Sequence, residues 1–279
     1  MLTQATHTHP HPNPLPKGEG TGIARAIRRR VLQMSHAAHA PHLASALSCI
    51  DILVAAYWGA LKIESPDDPD RDRLIFSKGH AAIGLYATLA ARGIIAESLL
   101  DSFGLTGGTL AEQPIPHAVP GVEAATGSLG HGLSLGIGMA MAARIQKRDY
   151  RVLVVMSDGE CNEGSVWEAA MFAPAQRLDR LAVVIDFNKW QATGRSQEVM
   201  ALAPLRDKWQ AFGWEAIEVD GHDIETLAAA MRMTTPGKPR AIIAHTLKGK
   251  GVSFMQDDNN WHYRIPSDAD LAAALAELN

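Results

Sequence analysis

Short apolar runs alternate with longer amphipathic segments along most of the chain. Strands are predicted at 74–77, 151–156, 181–185, 215–219 and 240–246. Helices are predicted between and after them, at 130–148, 164–177, 201–212 and 223–233. Because the strands are nearly all apolar, they are typical of a parallel sheet that is covered on both faces. The pattern therefore predicts an α/β fold with a doubly wound, mostly parallel sheet and helices on both faces.

The first half of the chain is less regular. Helices are predicted at 21–38, 44–63 and 78–92, and the second of these is apolar enough to be mostly buried. Residues 101–126 are rich in Gly and Pro, and a stretch of that length in a compact domain is more often functional than idle. Residues 1–20 are rich in Pro and His and are predicted to be a disordered tail. Residues 21–279 are predicted to form one domain.

Composition narrows the class of protein. The 279 residues carry a formal net charge of -4, which argues against a nucleic-acid partner. The basic run at 25–30 is interpreted as a solvated helix face. No apolar stretch reaches the roughly 18–20 residues that span a bilayer, and no secretory signal is present, so a cytoplasmic protein is expected. Cys49 and Cys161 indicate neither a disulfide framework nor a zinc site.

A polar segment, "SDGECNEG" (157–164), directly follows the apolar strand at 151–156. Asp158 in this segment and Asn188, which follows the strand at 181–185, converge if those two strands are neighbours. Carboxylate and amide oxygens suit Mg²⁺ or Ca²⁺ and do not suit zinc. Gly159 lets a phosphate approach the backbone, and the next helix presents its N-terminus. From spacing alone, a helix cap at Asp158 and a turn residue at Asn188 are an equally good interpretation.

Longer stretches resemble the transketolase family. "SDGECNEGSVWEAAMFA…LDRLAVVIDFNKWQATG" is similar to its thiamine-diphosphate motif, a G-D-G followed some thirty residues later by N, with Ser157 at the first glycine. Four further motifs occur in the family's order: "SKGHAAIGLYATLAARG" (77–93), "PGVEAATGSLGHGLSLGIGMA" (120–140), "DGHD" (220–223) and "KGKGVSFM…WH" (248–262). The similarity runs from about residue 24 to 275. It implies a thiamine-diphosphate-binding domain of the type that holds the diphosphate.

The resemblance implies roles for individual residues. Mg²⁺, or Ca²⁺ or Mn²⁺ in its place, is expected on the side chains of Asp158 and Asn188 and the backbone carbonyl of Trp190. The residues expected to bind thiamine diphosphate are His80, Gly127, Leu129, Asp158, Gly159, Asn188, Lys248 and His262. The residues expected to take part in catalysis are His42, His80, Glu163 and His262, where Glu163 matches an acidic residue that links paired sites across a dimer.

Several polar residues have a simpler interpretation or depart from the family. Glu160, Asp186 and Asp223 are expected to be helix caps or hydrogen-bond partners, and the alternative for Glu160 is that it is solvated. His131 and His222 are expected to have packing or loop-ordering roles. His42 stands in "HAPHLAS", which lacks the family's flanking glycines. Gln113 occupies the position of a family histidine. Either His117 replaces that histidine through a changed loop, or a contact to a substrate hydroxyl is altered and the sugar is atypical.

Transketolases are roughly twice as long as this chain and carry a second domain that grips the aminopyrimidine ring of the cofactor. The resemblance therefore implies the N-terminal subunit of a split transketolase. A C-terminal subunit, an α₂β₂ assembly and sugar or sugar-phosphate substrates are expected. Two alternatives stay open: the α subunit of a 2-oxo acid dehydrogenase, and a non-catalytic scaffold that kept the fold.

Overall fold

Five parallel strands form the centre of the molecule, which a computed structural model describes over residues 18–279. The strands are β1 (Arg73–Phe76), β2 (Val152–Ser157), β3 (Leu181–Phe187), β4 (Glu215–Asp220) and β5 (Arg240–His245). Their order in the sheet is β1-β2-β3-β5-β4, and every neighbouring pair is parallel. All five predicted strands and their parallel arrangement are confirmed.

Helices cover both faces of the sheet. They are α1 (Glu19–Ala38), α2 (Leu43–Ser48), α3 (Ile50–Val54), α4 (Ala82–Ala91), α5 (Gly132–Ile145), α6 (Gly164–Ala175), α7 (Ser196–Val199), α8 (Leu205–Ala211), α9 (Ile224–Arg232) and α10 (Asp268–Glu277). Successive strand residues point to opposite faces of the sheet, and each face has its own apolar core. Val155 and Ile242 pack with α1 to α4, α9 and α10 in one core, and Val154 and Ile243 pack with α5, α6 and α8 in the other. The doubly covered sheet is the predicted fold class.

The helix predicted at 44–63 is broken in the structure. It is divided into α2, α3 and a π-helical turn, Ala55–Ala60. At the first break the Ser48 hydroxyl donates to the carboxylate of Asp186 at 2.7 Å, with the carbonyl of Ser45 as a second acceptor 3.0 Å away, so a tertiary contact competes with the helical ladder. The predicted burial of this segment is confirmed.

One other helix prediction was imprecise, and two helices were missed. The helix predicted at 201–212 begins only at Leu205, because Pro204 disfavours a helical conformation in the residue before it. The short α7 and the C-terminal α10 were not predicted. A signal for α10 existed, since Ser267 and Asp270 form a reciprocal capping box.

The remaining expectations concern the N-terminus and the surface. The predicted tail lies outside the described residues except for 18–20, where α1 begins at Glu19. The basic run was interpreted as solvated, which is wrong for Arg28: it is buried and donates through two nitrogens to Asp51. Within residues 18–279 no helix is long and apolar enough to cross a membrane. Cys49 and Cys161 are both buried and unpaired.

Candidate active site

Asp158 and Asn188 meet at the carboxyl edge of the sheet, because β2 and β3 are neighbours. Ser157 pairs with Asp186 in the register of these two strands. The turn after β3 then passes over Asp158, and the N–H of Lys189 donates to Asp158 Oδ2 at 3.0 Å. Lys189 has a left-handed φ of 72°, which gives the turn its sharp bend. The convergence that the spacing predicts is present in the structure.

The Asp158 carboxylate is fully buried, yet no cationic side chain of the described residues pairs with it. It accepts hydrogen bonds from Ser196 Oγ at 2.7 Å and from the N–H of Gly159 at 3.0 Å, besides that of Lys189. Burial nevertheless raises the pKa of Asp158 to about 7, and the nearby charge of Asp186 adds to the shift. A buried carboxylate without a counter-charge is a good ligand for a divalent cation.

Asn188 is held with its oxygen towards the turn. Its Nδ2 lies 3.4 Å from both Asp186 Oδ2 and Ser48 Oγ, and its Oδ1 accepts from the N–H of Trp190 at 3.1 Å. The donors available to a metal are therefore one carboxylate, one amide oxygen and backbone carbonyls of this turn. In the described part of the chain, no group of three or more His, Cys, Asp or Glu side chains could hold a metal. An all-oxygen set with one carboxylate fits Mg²⁺ and does not fit zinc.

A buried ion pair supports the site from behind. Lys78 and Asp186 are both fully buried and are in direct contact, and Asp186 also accepts from Ser48 and Thr246. Burial alone would lower the pKa of Lys78, but the adjacent Asp186 carboxylate outweighs it and raises that pKa. The role of Asp186 as a hydrogen-bond partner is confirmed. Sequence reasoning missed Lys78, although a charge directly after the apolar strand β1 was a signal.

Glu160 was alternatively expected to be solvated, and that expectation is wrong. Its side chain is fully buried and accepts from the Ser77 hydroxyl and from the N–H groups of Gly130 and Ser157. Burial raises the pKa of Glu160 while these donors oppose the rise. Glu160 thereby ties the end of β1 and the loop before α5 to the turn after β2, which is the hydrogen-bonding role that was also expected.

The glycine-rich loop before α5 lies against the end of β1. Gly127 in this loop has a φ of 132°. A Cβ added at Gly79 would lie 2.6 Å from the N atom of Gly127 and from the carbonyl carbon of Thr126. The side-chain amide of Gln113 packs on Gly127 so closely that a Cβ there would overlap it. Leu129, two residues on, is half-buried. Gln113 therefore packs against the loop whose residues Gly127 and Leu129 the resemblance assigns to cofactor binding.

Glu163 stands at the start of α6, apart from the buried carboxylates. Its side chain is exposed, and a Cβ added at Gly130 would lie 2.6 Å from Glu163 Cβ. It is thus close to the glycine-rich loop and also open to another chain.

His131 is exposed, with Nδ1 3.2 Å from the carbonyl of Leu129, whereas His222 bridges Asp51 and the N–H of Leu247. Asp223 caps α9 as expected.

Three histidines from distant parts of the chain form one cluster. The ring centroid of His42 lies 5.4 Å from that of His80 and 5.0 Å from that of His262, and the last two are 6.2 Å apart. The N–H of His42 also donates to the carbonyl of His262 at 2.7 Å. Tyr263 packs on both His42 and His262 and was not predicted. His36, which is close to His42 in the sequence, contacts Asp268 at the surface and is not part of the cluster.

The cluster is electrically neutral beside a buried cation. Burial and the charge of Lys248 lower the pKa of His42, and the same two causes bring the pKa of His262 to about 3. Burial and the charge of Lys78 lower the pKa of His80. Lys248 is fully buried; burial and Lys78 lower its pKa to about 8. The charges of Asp158 and Asp186 act on Lys248 in the opposite direction, so the cluster and the oxygen site belong to one electrostatic unit.

Comparison with known proteins gives a consistent result. The family described as "Transketolase, thiamine diphosphate binding domain" matches residues 20–277. The chain is 41% identical over 256 residues to one of the subunits of the apulose-4-phosphate transketolase of Phocaeicola vulgatus, covering 90% of this chain and 91% of that protein. It is 38% identical to the 6-deoxy-6-sulfo-D-fructose transketolase subunit SqwG of a Clostridium species, covering 91% and 94%.

Solved structures agree with the sequence comparison. Transketolase from Campylobacter jejuni superposes with a TM-score of 0.86 at 25% identity, over 95% of this chain and 43% of that one. Transketolase from Leishmania mexicana superposes with a TM-score of 0.84 at 27% identity, over 93% and 41%. The chain therefore spans less than half the length of these two structures but nearly all of the two subunits above.

Proposed function

The chain belongs to the transketolase family, and from that premise we propose that it is the diphosphate-binding subunit of a two-chain transketolase. With a C-terminal subunit it would transfer a two-carbon ketol unit from a ketose, or ketose phosphate, to an aldose. The observation that carries the proposal is the buried, uncompensated carboxylate of Asp158 beside the amide oxygen of Asn188.

These residues would hold Mg²⁺ and the diphosphate. Asp158 and Asn188 would bind the metal through side-chain oxygens, and Trp190 through its carbonyl; Ca²⁺ and Mn²⁺ accept the same oxygen ligands. Gly159 leaves room on its side, since a Cβ there would meet only the flexible side chain of Gln191. Lys248 would add positive charge near the phosphates.

When bound, thiamine diphosphate supplies the electron sink for the two-carbon unit. The task of this chain is to bind, to orient and to move protons. Neutral imidazoles can both donate and accept, so His42, His80 and His262 are suited to relay protons to substrate hydroxyls and to hold a developing alkoxide. Their lowered pKa values keep them neutral at physiological pH.

Gln113 is proposed to modify the choice of sugar. Its amide is exposed, packs on Gly127 and makes no side-chain hydrogen bond with the described residues. A carboxamide offers both a donor and an acceptor to a sugar hydroxyl but cannot carry a proton as a histidine can. His117, exposed and with a left-handed φ of 62°, stays an alternative for the missing histidine. Two relatives are named for apulose 4-phosphate and 6-deoxy-6-sulfo-D-fructose, which supports an unusual sugar here too.

Exposed apolar residues support an assembly. On the adjacent helices α5 and α6, Leu135 is 41% exposed, Ile145 75%, Met171 54% and Phe172 43%. Because Glu163 at the start of α6 is exposed beside this surface, we propose that a second copy of the chain packs here and brings the two acidic residues together. With two C-terminal subunits this gives α₂β₂. The unpaired Cys49 and Cys161 are consistent with a cytoplasmic location.

The rival functions are less well supported. Both named relatives above are transketolase subunits, which disfavours a 2-oxo acid dehydrogenase. A scaffold without chemistry has no reason to keep a buried carboxylate that lacks a counter-charge, because such a group costs stability.

Cofactor binding tests the proposal. Calorimetric titration of thiamine diphosphate into the chain, complexed with its C-terminal subunit, should give binding that requires Mg²⁺. Asp158→Ala should abolish it. Asp149→Ala, which removes an exposed carboxylate paired with Arg180, should bind as the unaltered chain does. Binding that is equally strong without Mg²⁺, or that survives in Asp158→Ala, would contradict the proposed site.

A further inference from the structure

We propose that Lys248 is a positioning residue that fixes the tautomer of His262, so that in the resting site Nε2 of this ring carries the proton and donates into the site. The inference builds on the proposed function, since the donor is useful only if an anion or a developing alkoxide binds beside the histidine cluster. It assigns to Lys248 an action through His262, distinct from direct attraction of the phosphates.

The contact between the two side chains is specific. Lys248 Nζ lies 3.0 Å from His262 Nδ1 and 2.6 Å from Asn259 Oδ1. Lys248 is fully buried and His262 is 9% exposed, so water has little access to this pair. An ammonium group has three hydrogens to donate and no lone pair to accept with. Nδ1 of His262 must therefore be the acceptor, which leaves the ring proton on Nε2.

The protonation states are consistent with this assignment. Burial and the charge of Lys248 bring the pKa of His262 to about 3, so the ring is neutral and has one proton to place. Lys248, with a pKa of about 8, is mostly charged at neutral pH. The charged groups that act on Lys248 are Lys78 on one side and Asp158, Asp186 and Asp258 on the other, so its charge is balanced from several elements.

The consequence lies on the open side of the ring. His262 Nε2 makes no hydrogen bond with any described residue, and the centroids of the His42 and His80 rings lie 5.0 and 6.2 Å from that of His262. With the proton on Nε2, His262 presents a donor to an anionic oxygen of the cofactor or substrate. With the proton on Nδ1 it would present a lone pair, which repels the same oxygen.

The backbone of His262 is held independently of Lys248. Its carbonyl accepts from the N–H of His42, and Trp261 before it is buried and donates from Nε1 to the carbonyl of Phe254. Lys248→Met should therefore leave the ring in place while it releases the tautomer. The conservative variant Lys248→Arg keeps a donor that has no lone pair. Lys250→Met, two residues away, is a matched control for loss of a lysine.

The first measurement is spectroscopic and needs no cofactor. In a histidine-¹⁵N-labelled chain, complexed with its unlabelled C-terminal subunit, long-range proton–nitrogen correlation spectra at neutral pH should identify His262 as Nε2–H with a pyridine-type Nδ1. Lys248→Met should shift the signals towards a mixture of tautomers, and Lys248→Arg should restore them. A protonated Nδ1 in the unaltered chain, or identical His262 signals in Lys248→Met, would overturn the inference.

The second measurement separates positioning from direct attraction. We expect Lys248→Met to weaken thiamine diphosphate binding about tenfold, the loss of one charge-assisted hydrogen bond, and Lys250→Met to leave it unchanged. In a His262→Phe background the same lysine change should have a clearly smaller effect, because only the direct attraction of Lys248 for the phosphates remains. An undiminished effect there would mean that Lys248 acts only through that direct attraction and would overturn the inference. No cofactor binding by the unaltered complex would refute the proposed function and leave the tautomer result standing.

Discussion

The pair of Lys78 and Asp186 offers a quantitative test of how the site is built. Both side chains are fully buried in the centre of the fold, directly behind Asn188. Lys78→Met keeps most of the side-chain volume but leaves the Asp186 carboxylate with only neutral donors, from Ser48, Thr246 and Asn188. Removing one partner of a buried ion pair typically costs about 3–5 kcal/mol of unfolding free energy.

The assay is urea unfolding of the chain followed by tryptophan fluorescence and circular dichroism. We expect Lys78→Met to lower the unfolding free energy by about 3–5 kcal/mol. Lys238→Met, which removes an exposed lysine, should stay within about 0.5 kcal/mol of the unaltered chain. Lys238→Met controls for the loss of a lysine charge at an exposed position, and the ion pair itself is isolated by a double-mutant cycle.

A double-mutant cycle with Asp186→Asn completes the test. Because Asp186→Asn removes the charge that Lys78→Met leaves unpaired, the double variant should be more stable than the sum of the single changes predicts. The difference should be about 2 kcal/mol or more. A cost below about 1 kcal/mol for Lys78→Met, or strict additivity, would refute the reasoning that this ion pair supports the site.

Three further predictions concern the contact of Gly79 with the glycine-rich loop, the ion pair between Arg28 of α1 and Asp51 of α3, and the loss of stability at low pH. Gly79→Ala should lower the unfolding free energy by about 1–3 kcal/mol, since its Cβ would meet backbone atoms of residues 126–127. Gly138→Ala in α5 has open space around the new Cβ and should be neutral or slightly stabilising, so equal urea midpoints for the two variants would contradict this prediction. Asp51→Asn should cost about 3 kcal/mol because it leaves the buried Arg28 unpaired, and the exposed Asp101→Asn, a partner of Arg30, should cost less than about 1 kcal/mol. On acidification from about pH 7 to about pH 5 the unaltered chain should lose more stability than His262→Phe, and equal losses in urea would refute this. The sign follows because the pKa of His262 is about 3 in the folded chain and 6.5 in the unfolded chain. The contribution of His262 to stability is therefore fully present above pH 6.5, and it is lost as the pH falls below 6.5 and protons bind the unfolded chain.

Local patterns predicted the sheet and the convergence of Asp158 and Asn188 at its edge, for a physical reason. An apolar strand followed at once by Asp158, and another followed by Asn188, need only parallel neighbouring strands to bring both side chains to one edge. The surroundings depend on contacts far apart in sequence, which local patterns do not report. Glu160 illustrates this, because its burial requires donors from Ser77 and Gly130.

The histidine cluster lies between these extremes. The resemblance placed His80 and His262 in motifs that match the family, and His42 in a stretch that departs from it. No spacing in the sequence indicates that three such distant rings come within about 5–6 Å of each other. Nor does it indicate that Lys248 contacts His262, because that contact depends on the turn after β5 and the loop that carries Trp261. The residue types can be identified from the sequence, whereas only the fold determines which of their side chains lie in contact.

Ketol transfer by the reconstituted enzyme tests the central claim most directly. The chain would be combined with its C-terminal subunit, thiamine diphosphate and Mg²⁺, with xylulose 5-phosphate as donor and ribose 5-phosphate as acceptor, and with branched and sulfonated ketoses as alternative donors. We predict turnover of at least one donor that requires both chains and is lost in Asp158→Ala but kept in Asp149→Ala. Turnover by either chain alone, or turnover that survives in Asp158→Ala, would contradict the account.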